Sequence, residues 1–388
     1  MKALVLGCGE MGEAAARDLH RYGGVQELVV ATRRPERARA ALHDLGGDST
    51  RLQLTGLDAG DDDALAAVMR GCSVAVNCIG PNFRHEERVA RAAIQARVSL
   101  VDLNDEYEVT PRMLALDGAA REAGITIVLG LGASPGVNNV LVRSAANQLD
   151  AVEEIHTAWV MSAADPGGPA LAAHLLYSLS DRAPTVTGGR LEWVRSLRDG
   201  RERIEFPAPV GPMDVFHVGH PEPLTLRRSF PHARVIDDKA SFNPPAVNEA
   251  ILRLGALARE APRPIEVDGR PVEPMDFCAA YLRAFCKSLP GVPPEGALRV
   301  QVKGRKGDRT RSVTFSSAGR LATGTGIPVA IGAILLLQGR IAARGVLPPE
   351  DCLDPNEFLY ELFNRRNAGK LNGWVEETPG VAEALPVA

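Results

Sequence analysis

The chain has 388 residues, enough for two domains, and with 45% apolar and 24% charged residues it can bury a substantial core. A formal charge of −4, an aromatic content of 5% and no basic stripe exclude a general polyanion binder, so no nucleic-acid partner is expected. The six cysteines form no CxxC pair; they read as core thiols in a reducing cytosol, and no metal site is expected.

The first apolar run starts at residue 2, which leaves no room for a cleaved leader and points to a cytoplasmic protein. The runs KALVLG, ELVVAT, RLQLTGL, SVAVNCIG, VSLVDLN and ITIVLGLG have strand length. They alternate with EAAARDLHRY, ERARAALHDL, DALAAVMRG, ERVARAAIQAR and PRMLALDGAAREAG, whose apolar residues recur at helical spacing. Strands that are apolar throughout are buried on both faces, and their alternation with helices means βαβ units. A six-stranded, doubly wound parallel sheet follows.

From residue 150 to 320 the character changes. VEEIHTAWVM, RIEFPAP, LRVQVKG and RSVTFSS read as strands, AVNEAILRLGALA and PMDFCAAYLRAFCKSL as helices, an α+β pattern with helices on one face of a sheet. PVAIGAILLLQGRIAARG and PNEFLYELFNRR are helical again. GIPVAIGAILLLQG is too short for a bilayer and contains proline, so it reads as a buried helix packing back on the first domain and not as a membrane span. The expected fold is α/β: a Rossmann domain from residues 1–135 and 325–366, an inserted α+β domain over 136–324, and a flexible tail over 367–388.

Gly7-Cys8-Gly9-Glu10-Met11-Gly12 stands between the first strand and the first helix. Gly7 permits a tight turn, Gly9 lets the backbone approach a diphosphate, and Gly12 lets helix and strand pack closely, with the diphosphate on the amides that Glu10 and Met11 open. An NAD site carries an acid about twenty residues further on; here the second strand ends in Thr32-Arg33-Arg34, which offer a hydroxyl and positive charge to a 2′-phosphate. NADP is the expected cofactor. Asp58 either accepts from the adenine amino group or caps the next helix.

Ligands bind at the carboxyl ends of such strands. Asn77, Cys78, Ile79 and Gly80 should line the nicotinamide half. Asn82, Arg84 and His85 follow, with Arg84 or His85 able to face an acidic substrate. Asn104, Asp105 and Tyr107 form a polar cluster at the fifth strand tip, suited to substrate or proton handling. Arg227 or Arg228 could clamp a carboxylate; Arg228 is taken as the substrate candidate. His217 and His220 lie three apart but lack a third ligand.

The stretches VLGCGEMGEAAARDL, NCIGPNFRHEERVARAAIQARVSLVDLNDE, AAREAGITIVLGLGASPGVNN, GHPEPLTL and TGIPVAIGAILLLQGRIAARGVLPPE together resemble the saccharopine dehydrogenase family, in its saccharopine reductase and lysine 6-dehydrogenase branch. The resemblance implies hydride transfer at a carbon bearing nitrogen, an inserted domain that binds substrate, and a homodimer. It maps Gly7, Gly9 and Gly12 onto the dinucleotide turn, Asn77 to Pro81 onto the cofactor-facing tip, and Asn82 to His85 onto the loop beside the substrate. The expected activity is NADP(H)-dependent interconversion of amine and imine in an amino acid or its conjugate, within lysine metabolism. Asp105 or His85 would handle the proton, and Tyr107 or Asn104 would orient the group. The alternatives are a lysine 6-dehydrogenase-like oxidative deaminase and a non-catalytic NADPH-binding protein.

Overall fold

A computed structural model describes residues 1–45, 50–261, 264–365 and 370–379. The apolar runs become parallel strands, each followed by its helix. They are β1 (Lys2–Leu6), α1 (Glu10–Tyr22), β2 (Glu27–Thr32), α2 (Pro35–Ala41), β3 (Arg51–Gly56), α3 (Asp62–Met69) and β4 (Val74–Asn77). Next come α4 (Asn82–Ala96), β5 (Ser99–Asp102), α5 (Thr110–Leu114), α6 (Asp117–Ala123), β6 (Thr126–Val128) and α7 (Val137–Ala146). Burial on both faces accounts for the unbroken apolar strands. Ala3, Val5, Val74 and Val76 pack toward one layer with Ala15 and Leu19, while Leu4, Leu6 and Ala75 pack toward the other with Leu65, Met69 and Val89.

The second sheet begins with β7 (Ala151–Ser162), α8 (Pro169–Ser178), β8 (Arg182–Thr187), β9 (Arg190–Arg195), β10 (Glu202–Glu205), β11 (Pro212–His217), α9 (Glu222–Ser229) and β12 (Val235–Asn243). α10 (Ala246–Glu260), the hairpin β13 (Ile265–Val267) and β14 (Arg270–Val272), α11 (Pro274–Ser288), β15 (Gly296–Lys306) and β16 (Arg309–Gly319) complete this part. The sheet is nine-stranded and mixed: β12 runs parallel to β7, and β15 antiparallel to it. Trp159, Met161 and Phe242 project from it onto Leu175, Ile251 and Leu282 of α8, α10 and α11, the one-sided helical cover that the pattern implies.

The chain then returns through α12 (Leu321–Leu337), β17 (Gly345–Leu347), α13 (Pro349–Cys352) and α14 (Pro355–Phe363). α12 is apolar on all sides because it is buried on all sides, and no helix among the described residues is long and apolar enough to cross a membrane. Gly326 brings α12 against α1, since a Cβ there would stand 2.4 Å from the Met11 carbonyl oxygen. β17 adds a seventh strand to the expected six, giving the order β17-β6-β5-β4-β1-β2-β3. Three residues are too few to show a period, so the sequence reads this segment as helix.

A second difference lies at the C terminus. Residues 367–388 read as a flexible tail, yet β18 (Lys370–Pro379) pairs antiparallel with β16 along its length. Backbone pairing with an open sheet edge needs no apolar pattern, and Arg309 reinforces it with an ion pair to Glu377 at 3.2 Å. Residues 366–369 and 380–388 lie outside the described residues.

α13 docks on α7 through Glu350, whose carboxylate accepts a hydrogen bond from the Asn139 amide at 2.8 Å. Burial pushes its carboxyl from 4.5 up to about 7. An acid that binds its proton more tightly when folded stabilises the fold fully below its unfolded pKa. That contribution is lost as pH rises from 4.5 through about 7, and is worth on the order of 3 kcal/mol. Glu350→Gln keeps the neutral shape, so its melting temperature relative to the parent is expected to rise between about pH 5 and about pH 8. A constant difference across that range would refute the assignment.

Candidate active site

The dinucleotide turn is a set of close approaches with one gap. Gly7 has φ +85°, and a Cβ there would lie 2.8 Å from the Cys78 carbonyl oxygen, so the β1 and β4 tips touch through it. A Cβ on Gly12 would lie 2.1 Å from the Gly7 carbonyl oxygen. A Cβ on Gly9 would meet nothing within 4 Å. No side chain caps the N terminus of α1, so the amides of its first turn, from Glu10 to Gly12, face this open space. A diphosphate fits there on both counts.

Thr32 ends β2, and Arg33 and Arg34 beyond it are exposed, with no ion-pair partner among the described residues. They are free to meet a phosphate at this edge. Asp58 accepts from the Gly60 amide at 2.9 Å, and the cap of α3 is Asp61, which accepts from Ala64 at 3.0 Å. The helix-capping reading of Asp58 is therefore replaced by a local turn.

Beside the turn lies a cavity of about 230 Å³ between the two sheets. Met11, Cys78, Ile79, Gly80 and Asn82 form its floor with Gly132 to Pro135, while Trp159, His174, His220 and the β16–α12 junction form its roof. Asn77 sits below the floor: its side-chain oxygen accepts from the Ile79 amide at 3.1 Å, and its amide donates to Glu86 at 2.9 Å. Burial pushes up the adjoining Glu86 and Asp102 carboxyls, Asp102 to about 7. Asp102 also accepts from the Asn104 and Gly130 amides, tying the β5 and β6 tips together.

The roof delivers two histidines into a buried acidic wall. His174 Nδ1 lies 3.1 Å from Asp105 and 3.4 Å from Glu106. Asn82 donates to the same Asp105 oxygen at 3.0 Å, which holds the carboxylate in place. Burial alone would lower the His174 pKa, but Asp105 and Glu106 outweigh it and hold the imidazole above its ordinary value. His220 Nδ1 lies 3.5 Å from Glu222 and 3.7 Å from Asp238. Glu222 accepts the Ser134 hydroxyl, and Asp238 accepts from Trp159 Nε1 at 3.0 Å. One atom each of Asp105, His174 and His220 lies within 4.8 Å of the others, a spacing that suits a shared proton or a small cation. The sequence reading expected no such set.

Of the proposed site residues, the fold brings Met11, Asp105, Asn82 and the Cys78–Gly80 tip to this cavity. The others lie elsewhere. Tyr107 is buried behind the wall, its hydroxyl 3.3 Å from Glu108 and its ring against Trp193. Asn104 donates to Thr110 at 2.8 Å in the interior. His85 occupies a separate cleft on α4 with Arg88 and Arg112, and burial followed by Arg84 and Arg88 lowers its pKa. Arg84 reaches across to Asp276 on α11 at 3.2 Å. Arg228 is exposed on the last turn of α9. The reason is geometric: residues that follow a strand tip leave it in different directions, and spacing does not say which turns inward.

His174, Glu222, Asp238, Trp159, Asp165 and Arg320 went unread. His174 is a lone histidine in the apolar helix ALAAHLLYS, and His220 was paired by spacing with His217, whose ring instead packs on Gly200. Only GHPEPLTL, among the stretches that carried the resemblance, contained His220 and Glu222.

Residues 3–128 match the family described as the saccharopine dehydrogenase NADP binding domain. The chain is 25% identical to a carboxynorspermidine synthase of Vibrio alginolyticus, over 93% of this chain and 94% of the relative. It is 22% identical to a carboxyaminopropylagmatine dehydrogenase of Synechocystis sp., over 93% and 95%. The solved structure of apo histidine-tagged saccharopine dehydrogenase (L-Glu forming) from Saccharomyces cerevisiae superposes with a TM-score of 0.68 at 17% identity, covering 96% of this chain and 99% of that one. Fold and domain match define a protein with a nicotinamide-dinucleotide-binding domain. Residues 3–128 thus carry the saccharopine dehydrogenase NADP binding domain, and the whole chain shares the fold of saccharopine dehydrogenase.

Proposed function

We propose that the protein is an NADP(H)-dependent oxidoreductase that interconverts a secondary amine and an imine in an amino-acid conjugate. The observation that carries this reading is the meeting, in one cavity, of the β4 and β6 tips with His174, His220 and their carboxylates. An acidic wall suits an amine, and the names of the relatives join amine chains to a carboxylate. When bound, the nicotinamide supplies or accepts the hydride.

The substrate nitrogen must be neutral before its carbon can give up hydride. His174 takes that proton, with Asp105 and Glu106 stabilising the imidazolium that results. In the reverse direction the same imidazolium protonates the imine nitrogen and favours reduction. Asn82 keeps Asp105 turned toward His174, and the apolar roof from Trp159 to Met161 limits water around the reacting carbon.

Purified protein with NADP⁺ should show saturable nicotinamide reduction with carboxynorspermidine or saccharopine. Reduction with free lysine and release of ammonia would instead identify a deaminase. No reduction with any of the three, in protein that binds NADPH, would refute the reading. For the cofactor, Arg33→Ala is expected to weaken NADPH binding by roughly 10- to 100-fold, the worth of one charged hydrogen bond, and to leave NADH binding unchanged. Fluorescence titration with both dinucleotides checks this; an equal effect on both would remove Arg33 from the 2′-phosphate site.

A further inference from the structure

We propose that Arg320 is the carboxylate-binding residue of the cavity, so that the site selects a ligand with an amine at the Asp105–His174 wall and a carboxylate at the β16–α12 junction. This deepens the amine–imine reading above and rests on it.

The cavity is electrically uneven. Its acidic and histidine side chains gather around His174 and His220, while Arg320 is its one lysine or arginine among the described lining residues. Arg320 sits between the last residue of β16 and the first of α12, and its side chain is 53% exposed toward this opening. It is held in place. Nε donates to Asp165 at 3.0 Å, and the same Asp165 oxygen accepts the Leu321 amide at 3.0 Å. Asp165 is itself nine-tenths buried, so the anchor is built into the fold.

This arrangement uses one edge of the guanidinium and leaves the other free. The two Nη nitrogens have no partner among the described residues, and they form the fork that matches a carboxylate with two parallel hydrogen bonds. Asp165 does not cancel the charge. Its oxygen is shared with the first amide of a 17-residue helix, whose N terminus is also positive. An anchored arginine loses less freedom on binding than a mobile one, which favours recognition over casual surface pairing.

The two poles belong to the same stretch of chain. Asp165 precedes α8, and His174 lies within it, so the carboxylate and amine subsites are set at a fixed separation by one helix. A diamine lacking a carboxylate would leave Arg320 unmatched. A ligand with only carboxylates would face the acidic wall and be repelled. The zwitterionic conjugate satisfies both ends.

The test is calorimetry on NADPH-loaded protein with carboxynorspermidine and with norspermidine, the same amine without its carboxylate. The parent protein is expected to bind the carboxylated compound at least ~10-fold more tightly. Arg320→Gln should abolish that preference by weakening the carboxylated compound alone, Arg320→Lys should restore part of it, and NADPH affinity should stay unchanged throughout. No preference in the parent, including no binding of either compound, overturns the proposal. So does a preference that survives in Arg320→Gln, or an equal loss for both compounds. Turnover is scored separately: binding preference with no hydride transfer leaves the carboxylate subsite standing and refutes the amine–imine reaction.

Discussion

Replacing His174 by alanine is expected to lower turnover by roughly 10²- to 10⁴-fold, the range for loss of a positioned acid–base group. NADPH affinity should be unchanged, because His174 enters from α8 on the opposite side of the cavity from the glycine turn. The effect is large because His174 is the imidazole set against Asp105 and Glu106, whereas His220 faces Glu222 and Asp238. Added imidazole should restore part of the rate in His174→Ala by entering the vacated space. It should not rescue Asp105→Asn, where the imidazole is present but its carboxylate partner is neutral. A His174→Ala enzyme within a few-fold of the parent would remove His174 from the chemistry. A melting curve accompanies the assay, since this change leaves Glu106 without the imidazole beside it.

The second large effect separates two glycines of one motif. Gly9→Ala is expected to leave stability unchanged, because its methyl group meets no atom of the described residues within 4 Å apart from its chain neighbours, yet to weaken NADPH binding by at least ~10-fold by occupying the diphosphate space. Gly12→Ala should lose both. Its methyl would stand 2.1 Å from the Gly7 carbonyl oxygen, a backbone atom that cannot rotate away, and the strain is worth about 1–3 kcal/mol. Thermal unfolding without cofactor, followed by NADPH titration, distinguishes the two. Equal destabilisation by both variants would mean that the gap at Gly9 is not ligand space.

Much of the first domain was legible because its signals are local. The run KALVL followed by GCGEMG carries strand, turn and helix start within a dozen residues, and burial on both faces forces unbroken apolar strands. Thr32, Arg33 and Arg34 could be placed at the end of β2 by counting from that turn. The returning helix α12 was legible for the same reason, since a segment apolar on every side has to be enclosed.

The second sheet was legible only in part, through β7, β15 and β16 with the helices α10 and α11, and the cavity wall was not. β12 reads VIDDKASFN, and two adjacent aspartates disguise a central strand; Asp238 is buried because Thr157 and Trp159 donate to it. β17 and β18 are held by pairing with strands distant in the chain, which leaves no periodic mark in their own residues.

The sequence by itself determined the two-domain class, the dinucleotide turn and the strand tips on which a site could stand. Tertiary structure alone decided which side chains form that site. Asp105, His174, His220 and Arg320 come from four separate parts of the chain, and the long-range pairing of β7 with β12 and β15 is what sets the roof over the floor. Local periodicity records which face of an element is buried. It carries no record of which buried faces meet, because that is settled by packing between elements.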